Sequence, residues 1–193
     1  KLLQQKNNLH RPAKAGRFFN TMSIANSLIV TVKMQAIDAA FFNALRTKYY
    51  PAYCNFVDAH ITLFHKLPTE LNLVTELLEK ATKRNNLAIN VTGIKNVGNS
   101  VAYTLECAEL VQLHRSLQKK LTSYLTTKDR RKLKPHITIQ NKVTAFKAVQ
   151  TAQFLQENFI QSTIHAIGLS TFLFHKNKWI HQSDYLFEEA VLS

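Results

Sequence analysis

The sequence predicts an α+β fold, and three observations predict it. Strand-like and helix-like segments are mixed along the whole chain, a Gly98-Asn99 pair separates two β-rich runs as a hairpin turn, and no low-complexity or Pro/Ser-rich linker divides the 193 residues. That length suits one domain, or one domain built from two similar halves, and is long enough to bury a core without disulfide staples.

The segments follow in order. Ser27 to Met34 is rich in β-branched residues and reads as a strand. A helix follows to about Tyr50, with Asp38 as its expected N-cap, Phe41, Phe42, Leu45 and Tyr49 on one stripe, and Pro51 ending it. His60 to Leu67 is a second strand. A helix from Thr69 or Asn72 to Arg84 buries Leu73, Leu77, Leu78 and Ala81. Leu87 to Val97 and Ser100 to Cys107 form the hairpin. Leu110 to Leu125 is a helix with leucines at three-to-four spacing, and Lys134 to Val143 is a strand. Ala145 to Phe159 is a helix with Phe146, Val149, Phe154 and Leu155 as its expected core. Ile164 to His175 and Trp179 to Phe187 close the chain as strands.

The charge balance narrows the partners. Twenty-five Lys and Arg stand against 12 Asp and Glu, a formal net charge of +13. Such an excess attracts polyanions, so RNA, DNA, nucleotides and anionic membranes are the candidate partners, and a phosphate-bearing one is expected. No stretch approaches the apolar length needed to span a bilayer. Two cysteines, Cys54 and Cys107, form no C-x-x-C pair and no disulfide framework, which fits reduced thiols in a cytoplasmic protein. The basic stretch before Asn26 has no apolar centre of the secretory kind. We expect a basic extension over 1–25 and a single domain over 26–193.

One pattern occurs twice. His60-Ile61-Thr62-Leu63 is repeated as His136-Ile137-Thr138-Ile139, both on expected strands, where composition alone gives well under one chance occurrence. Side chains alternate across a strand, so each His and Thr share one face and the two apolar residues the other. Two such strands side by side bring two imidazoles and two hydroxyls together. A neutral imidazole takes a proton from an attacking oxygen and an imidazolium gives one to a leaving oxygen, tasks that suit a group titrating near neutrality. The hydroxyls bind non-bridging phosphate oxygens as charge grows there. The expectation is a phosphodiesterase with His60 and His136 as catalytic residues, Thr62 and Thr138 as phosphate binders, and neither metal nor cofactor. A zinc hydrolase is a rival, but zinc wants three or four ligands and the motifs supply two. A non-catalytic RNA- or nucleotide-binding module is the other alternative.

At these residues the chain resembles the 2H phosphoesterase superfamily, and the wider match is to its bacterial 2′-5′ RNA ligase branch. The resemblance rests on HITLFHKLP (60–68) and KPHITIQNKV (134–143), with support from Gly93 and its hairpin and from Leu113-His114; it spans roughly Leu28 to Phe187. It implies a bilobal, pseudo-symmetric fold with two antiparallel sheets facing a central cleft and helices outside. It implies action on 2′,3′-cyclic phosphates or 2′-5′ linkages of RNA or nucleotides, with reverse ligation also open to the family. Some relatives carry an arginine shortly after the second motif, where this chain has Gln140-Asn141-Lys142. Gln140, on the His136 face of a regular strand, is the expected substitute.

Further substrate contacts are expected from Lys66 and Lys142, which follow the motifs, and from Phe64, which continues the His60 face and offers a base a stacking wall. The basic run Lys128 to Lys134 is either an RNA-steering loop or a solvated turn. Trp179 and Tyr103 either stack on bases or pack in the core. His10, His114, His165, His175 and His181 carry no motif and are expected to be structural or surface residues.

Overall fold

The computed structural model describes residues 26–69, 72–176 and 178–188, so the expected basic extension, with His10, lies outside them. In chain order the elements are β1 (Ser27–Met34), α1 (Ala36–Tyr49), β2 (Ile61–Leu67), α2 (Asn72–Ala81), β3 (Leu87–Val97), β4 (Ser100–Glu106), α3 (Ala108–Lys120), β5 (His136–Gln140), α4 (Ala145–Glu157), β6 (Ser162–His175) and β7 (Lys178–Leu186). No helix among the described residues is long and apolar enough to cross a membrane.

The strands are joined in the order β2-β1-β6-β3-β4-β5, with β7 also on β6, and every pairing is antiparallel. The long strand β6 joins the two halves. Its first residues pair with β3 (Val91 opposite Ser162, Leu87 opposite Ala166) and its later ones with β7 (Gly168 opposite Leu186, His175 opposite Lys178). β1 runs along the other edge. Two four-stranded groups result, β2-β1-β6-β7 and β5-β4-β3-β6, joined through β6. Each carries one His-Thr strand at its outer edge, and this is the pseudo-symmetry that the resemblance implies.

The hand-over from β3 to β7 falls at Gly168. A side-chain carbon there would stand 2.4 Å from the Tyr185 carbonyl oxygen and 2.9 Å from the Leu186 Cα, both backbone atoms that cannot swing aside. Only glycine lets β7 dock this closely.

Two helices, α1 and α3, are exchanged between the halves. α1 follows β1 yet packs against β5; α4 packs on β3 and β4; α3 lies beside α2. α3 also backs β2, where the buried His114 Nε2 is 3.1 Å from the Leu63 carbonyl oxygen. Each motif strand is therefore supported by a helix from the other half. Ile61, Leu63, Ile137 and Ile139 are all buried, as the period of two requires.

Three local expectations are corrected. Asp38 is not the N-cap of α1: Gln35 occupies that position, and the Asp38 carboxylate instead accepts from the backbone N–H of His165 at 2.7 Å, tying α1 to β6. α4 buries Ala148, Thr151 and Leu155, whereas Phe146 is 72% exposed and Val149 and Phe154 are about half exposed. Small residues let α4 lie close on the sheet, so its large ones face outward. Phe41 of α1 is likewise exposed, and Arg46 takes a place on the buried stripe beside Phe42.

Candidate active site

The two motifs are built alike in atomic detail. At the start of β2, His60 Nδ1 is 2.6 Å from the carbonyl oxygen of Asp58; at the start of β5, His136 Nδ1 is 2.9 Å from that of Lys134. A carbonyl only accepts, so each Nδ1 carries the hydrogen and each Nε2 keeps its lone pair. Thr62 and Thr138 are half-buried, two residues on. β2 and β5, at opposite ends of the hydrogen-bonded path, come back toward each other.

The two imidazoles sit in different surroundings. His136 is exposed. His60 is mostly covered, and the ring of Trp179 from β7 lies over it with centroids 4.7 Å apart. Burial pushes the His60 pKa down to about 4, and the positive charges of Arg46, His136 and His65 push the same way, against the hydrogen bond to Asp58. His60 is therefore neutral at physiological pH.

Arg46 is a buried charge beside the site that the sequence reading does not single out. Only 4% exposed, it donates through Nη1 to the Thr138 carbonyl at 2.8 Å and through Nη2 to the Asn55 side-chain oxygen at 2.7 Å, with its guanidinium over the Tyr50 ring. On the same helix, Asn43 accepts from the backbone N–H of Ala59 at 2.6 Å. One helix thus fastens the approach to His60 and the strand of Thr138 together. The signal was there: Arg46 lies one turn after Phe42, on the buried stripe, where a charge needs partners.

Two expected contacts fall away for one shared reason. Thr31 pairs with Thr62 and Val30 with Phe64, leaving Leu63 as an extra residue; Ala102 pairs with Thr138 and Val101 with Gln140, leaving Ile139 as an extra residue. Each motif ends in a β-bulge at its last residue, and a bulge reverses the face of everything after it. Phe64 is 0% exposed and stacks on His114 at 4.8 Å; it is core, not a cleft wall. Gln140 is also 0% exposed, donating to the Tyr49 carbonyl and the Thr151 hydroxyl, and so holds α1 and α4 to β5 and meets no phosphate. Lys66 and Lys142 are exposed, and neither ammonium pairs with an acidic side chain among the described residues.

The remaining residues sort by contact. Tyr103 is buried edge-on against Phe42, in the core. Trp179 extends from His60 to Phe172, and Phe172 to His181, as one aromatic row. Beside that row Asp184 accepts from Lys33, Ser170 and His181; burial alone would raise its pKa, but these three donors hold it at about 2. The basic run after Thr126 is anchored by Asp129, a buried carboxylate bonded to the backbone N–H and ring of His65 and to the Thr126 hydroxyl. Burial opposes ionisation there as well, and these donors keep the Asp129 pKa below its ordinary value.

A family model described as the 2′-5′ RNA ligase superfamily matches residues 35–171, well over half of the chain and both motifs. The chain belongs to the 2′-5′ RNA ligase superfamily. Solved structures agree on the fold. Escherichia coli LigT complexed with 3′-AMP is 13% identical, with a TM-score of 0.52 over 85% of this chain and 99% of that one. The protein TT0787 of Thermus thermophilus is 14% identical, with a TM-score of 0.59 over 85% and 99% of the respective chains. A protein described only as a phosphoesterase is 12% identical, with a TM-score of 0.54 over 86% and 99%. No curated protein matches the sequence. Family and fold together support a 2H phosphoesterase or 2′-5′ RNA ligase-like activity.

Proposed function

We propose that the protein is a metal-independent phosphodiesterase that opens 2′,3′-cyclic phosphates, or cleaves 2′-5′ linkages, of RNA or nucleotides. The observation that carries this reading is the duplicated arrangement in which Nδ1 of both His60 and His136 is bonded to the carbonyl two residues back, leaving both Nε2 atoms without a hydrogen-bond partner among the described residues.

The chemistry divides between the two rings by their surroundings. Neutral His60 takes the proton of the attacking water through Nε2 as the water oxygen bonds to phosphorus. His136, in its imidazolium form, is the acid of this scheme and gives its Nε2 proton to the ribose oxygen whose bond to phosphorus breaks. One P–O bond forms and one breaks, one proton enters and one leaves the protein, and a phosphate monoester remains on the ribose. The Thr62 and Thr138 hydroxyls donate to the non-bridging oxygens, whose charge rises in the transition state. A held RNA hydroxyl in place of water would run the same steps toward a linkage, but water at about 55 M favours hydrolysis unless that hydroxyl is positioned.

The net charge of +13 and the ligands of the structural relatives support a nucleotide-bearing substrate: Escherichia coli LigT has been solved with 3′-AMP, ATP, NADP+ and phosphate. The test is turnover of a 2′,3′-cyclic nucleotide and a 2′-5′ dinucleotide in EDTA. His60→Ala and His136→Ala should each lower kcat by about a hundredfold or more while the circular dichroism spectrum is kept. Undiminished turnover in either variant, or abolition by EDTA, would overturn the reading.

A further inference from the structure

A groove of about 1270 Å³ leads away from His136 and Thr138, between β3, β4, the start of α3 and the loop that enters β5. It does not include His60, whose ring packs against that of Trp179. The groove exceeds the volume of roughly 300–1,000 Å³ that suits a single small ligand. Four cations line it, Lys95 from β3 and Arg131, Lys132 and Lys134 from the loop, against one carboxylate, Glu106. All four are exposed, and none forms an ion pair among the described residues. The loop is not free to drift from them: the Gln118 side chain donates to the carbonyls of Asp129 and Arg131, and Asp129 is bonded to β2 through His65. No Phe, Tyr or Trp lines the groove.

We propose that this groove is a phosphate-backbone tract for single-stranded RNA, holding the 5′-ward body of a chain whose 3′-terminal phosphate sits between the two histidines. The proposal rests on the reading of the site given above. Its direction follows from the roles given to the two rings: the ribose oxygen that leaves phosphorus stays attached to the RNA, His136 is the ring assigned to it, and the groove opens from His136 and not from His60. Its selectivity follows from the lining. Cations without stacking surfaces read the backbone and not the bases, so the tract discriminates by chain length and is indifferent to sequence. This separates an oligonucleotide from a cyclic mononucleotide, which reaches the histidines and leaves the four cations unmatched.

The experiment measures binding and turnover in parallel. Fluorescence anisotropy uses RNAs of one, three and six nucleotides ending in a 3′-phosphate; turnover uses the same lengths ending in a 2′,3′-cyclic phosphate. The expected result is at least tenfold tighter binding of the hexamer than of the mononucleotide, equally for different sequences. The salt slope for the hexamer should be near −2 to −3, from about 0.7 per phosphate neutralised. Lys95→Glu combined with Lys132→Glu should weaken hexamer binding about tenfold and bring its KM toward that of the mononucleotide, whereas Lys147→Glu, on the exposed side of α4, should change neither. Binding that ignores length, or that survives the double reversal, overturns the tract. Turnover of every length with one KM overturns the tract and leaves the two-histidine reading standing. Length-dependent binding with no turnover of any substrate overturns the reading of the site and leaves the tract standing.

Discussion

The depressed pKa of His60 makes a prediction about stability that needs no substrate. The ring titrates near 6.5 in the unfolded chain and near 4 in the folded one, because burial and the charges of Arg46 and His136 oppose protonation. Between those pH values the unfolded chain binds more protons, so stability falls as the pH drops from about 6.5 toward 4 and is fully present above 6.5. The full shift corresponds to about 3 kcal/mol, an upper figure because some solvent still reaches the ring; at pH 5 the loss is about 2 kcal/mol. His114 shifts in the same direction through its own burial, so the wild-type curve alone is not specific. The perturbation is His60→Asn, whose amide still offers a donor to the Asp58 carbonyl but does not titrate. Urea unfolding at pH 7 and pH 5, on both proteins, isolates the difference. The wild type should lose about 2 kcal/mol more than the variant on acidification, close to 1 M in urea midpoint. Equal losses in the two proteins would refute the placement of His60 in a desolvated, positively charged site.

Three further outcomes follow from particular contacts. Arg46→Met should cost about 2–4 kcal/mol and lower kcat by ten- to a hundredfold, with Arg46→Lys restoring little because a point charge does not span the Thr138 carbonyl and Asn55 together; thermal melts and single-turnover rates check this. Gln140→Leu should keep turnover within about threefold while shifting the melting temperature by several degrees, since this side chain holds α1 and α4; a hundredfold loss of kcat would return it to the phosphate. Gly168→Ala should destabilise by about 1–3 kcal/mol or more, because the new carbon meets the Tyr185 and Leu186 backbone; an unchanged melting temperature would contradict that close approach.

The order of elements was legible because each segment carries its own period and stop signals. Pro51, Gly98-Asn99 and the leucines of α3 fall where the structure needs them, and the paired histidines and threonines fall at the edges of two matching strand groups. What was not legible came from tertiary constraint. Alternation places Phe64 and Gln140 in the cleft, and it fails at both for one cause, a single extra residue at the end of each motif that no local composition marks. Periodicity and hydropathy alone put Phe146 and Phe154 of α4 in the core. The closeness of α4 to the sheet selects Ala148 and Thr151 instead. Arg46 went unnoticed because its partners, Asn55 and the Thr138 carbonyl, are brought to it only when α1 crosses to the other half.

The sharpest question is whether one phosphate is felt by both rings at once. Protein with 15N-labelled histidine, titrated with a nucleoside 2′-monophosphate, reports each Nε2 separately. The His60 and His136 resonances should move together along one binding curve, and Thr62→Val with Thr138→Val should weaken that curve for both. Movement of one ring alone, or two curves with different midpoints, would mean that the histidines do not share a phosphate.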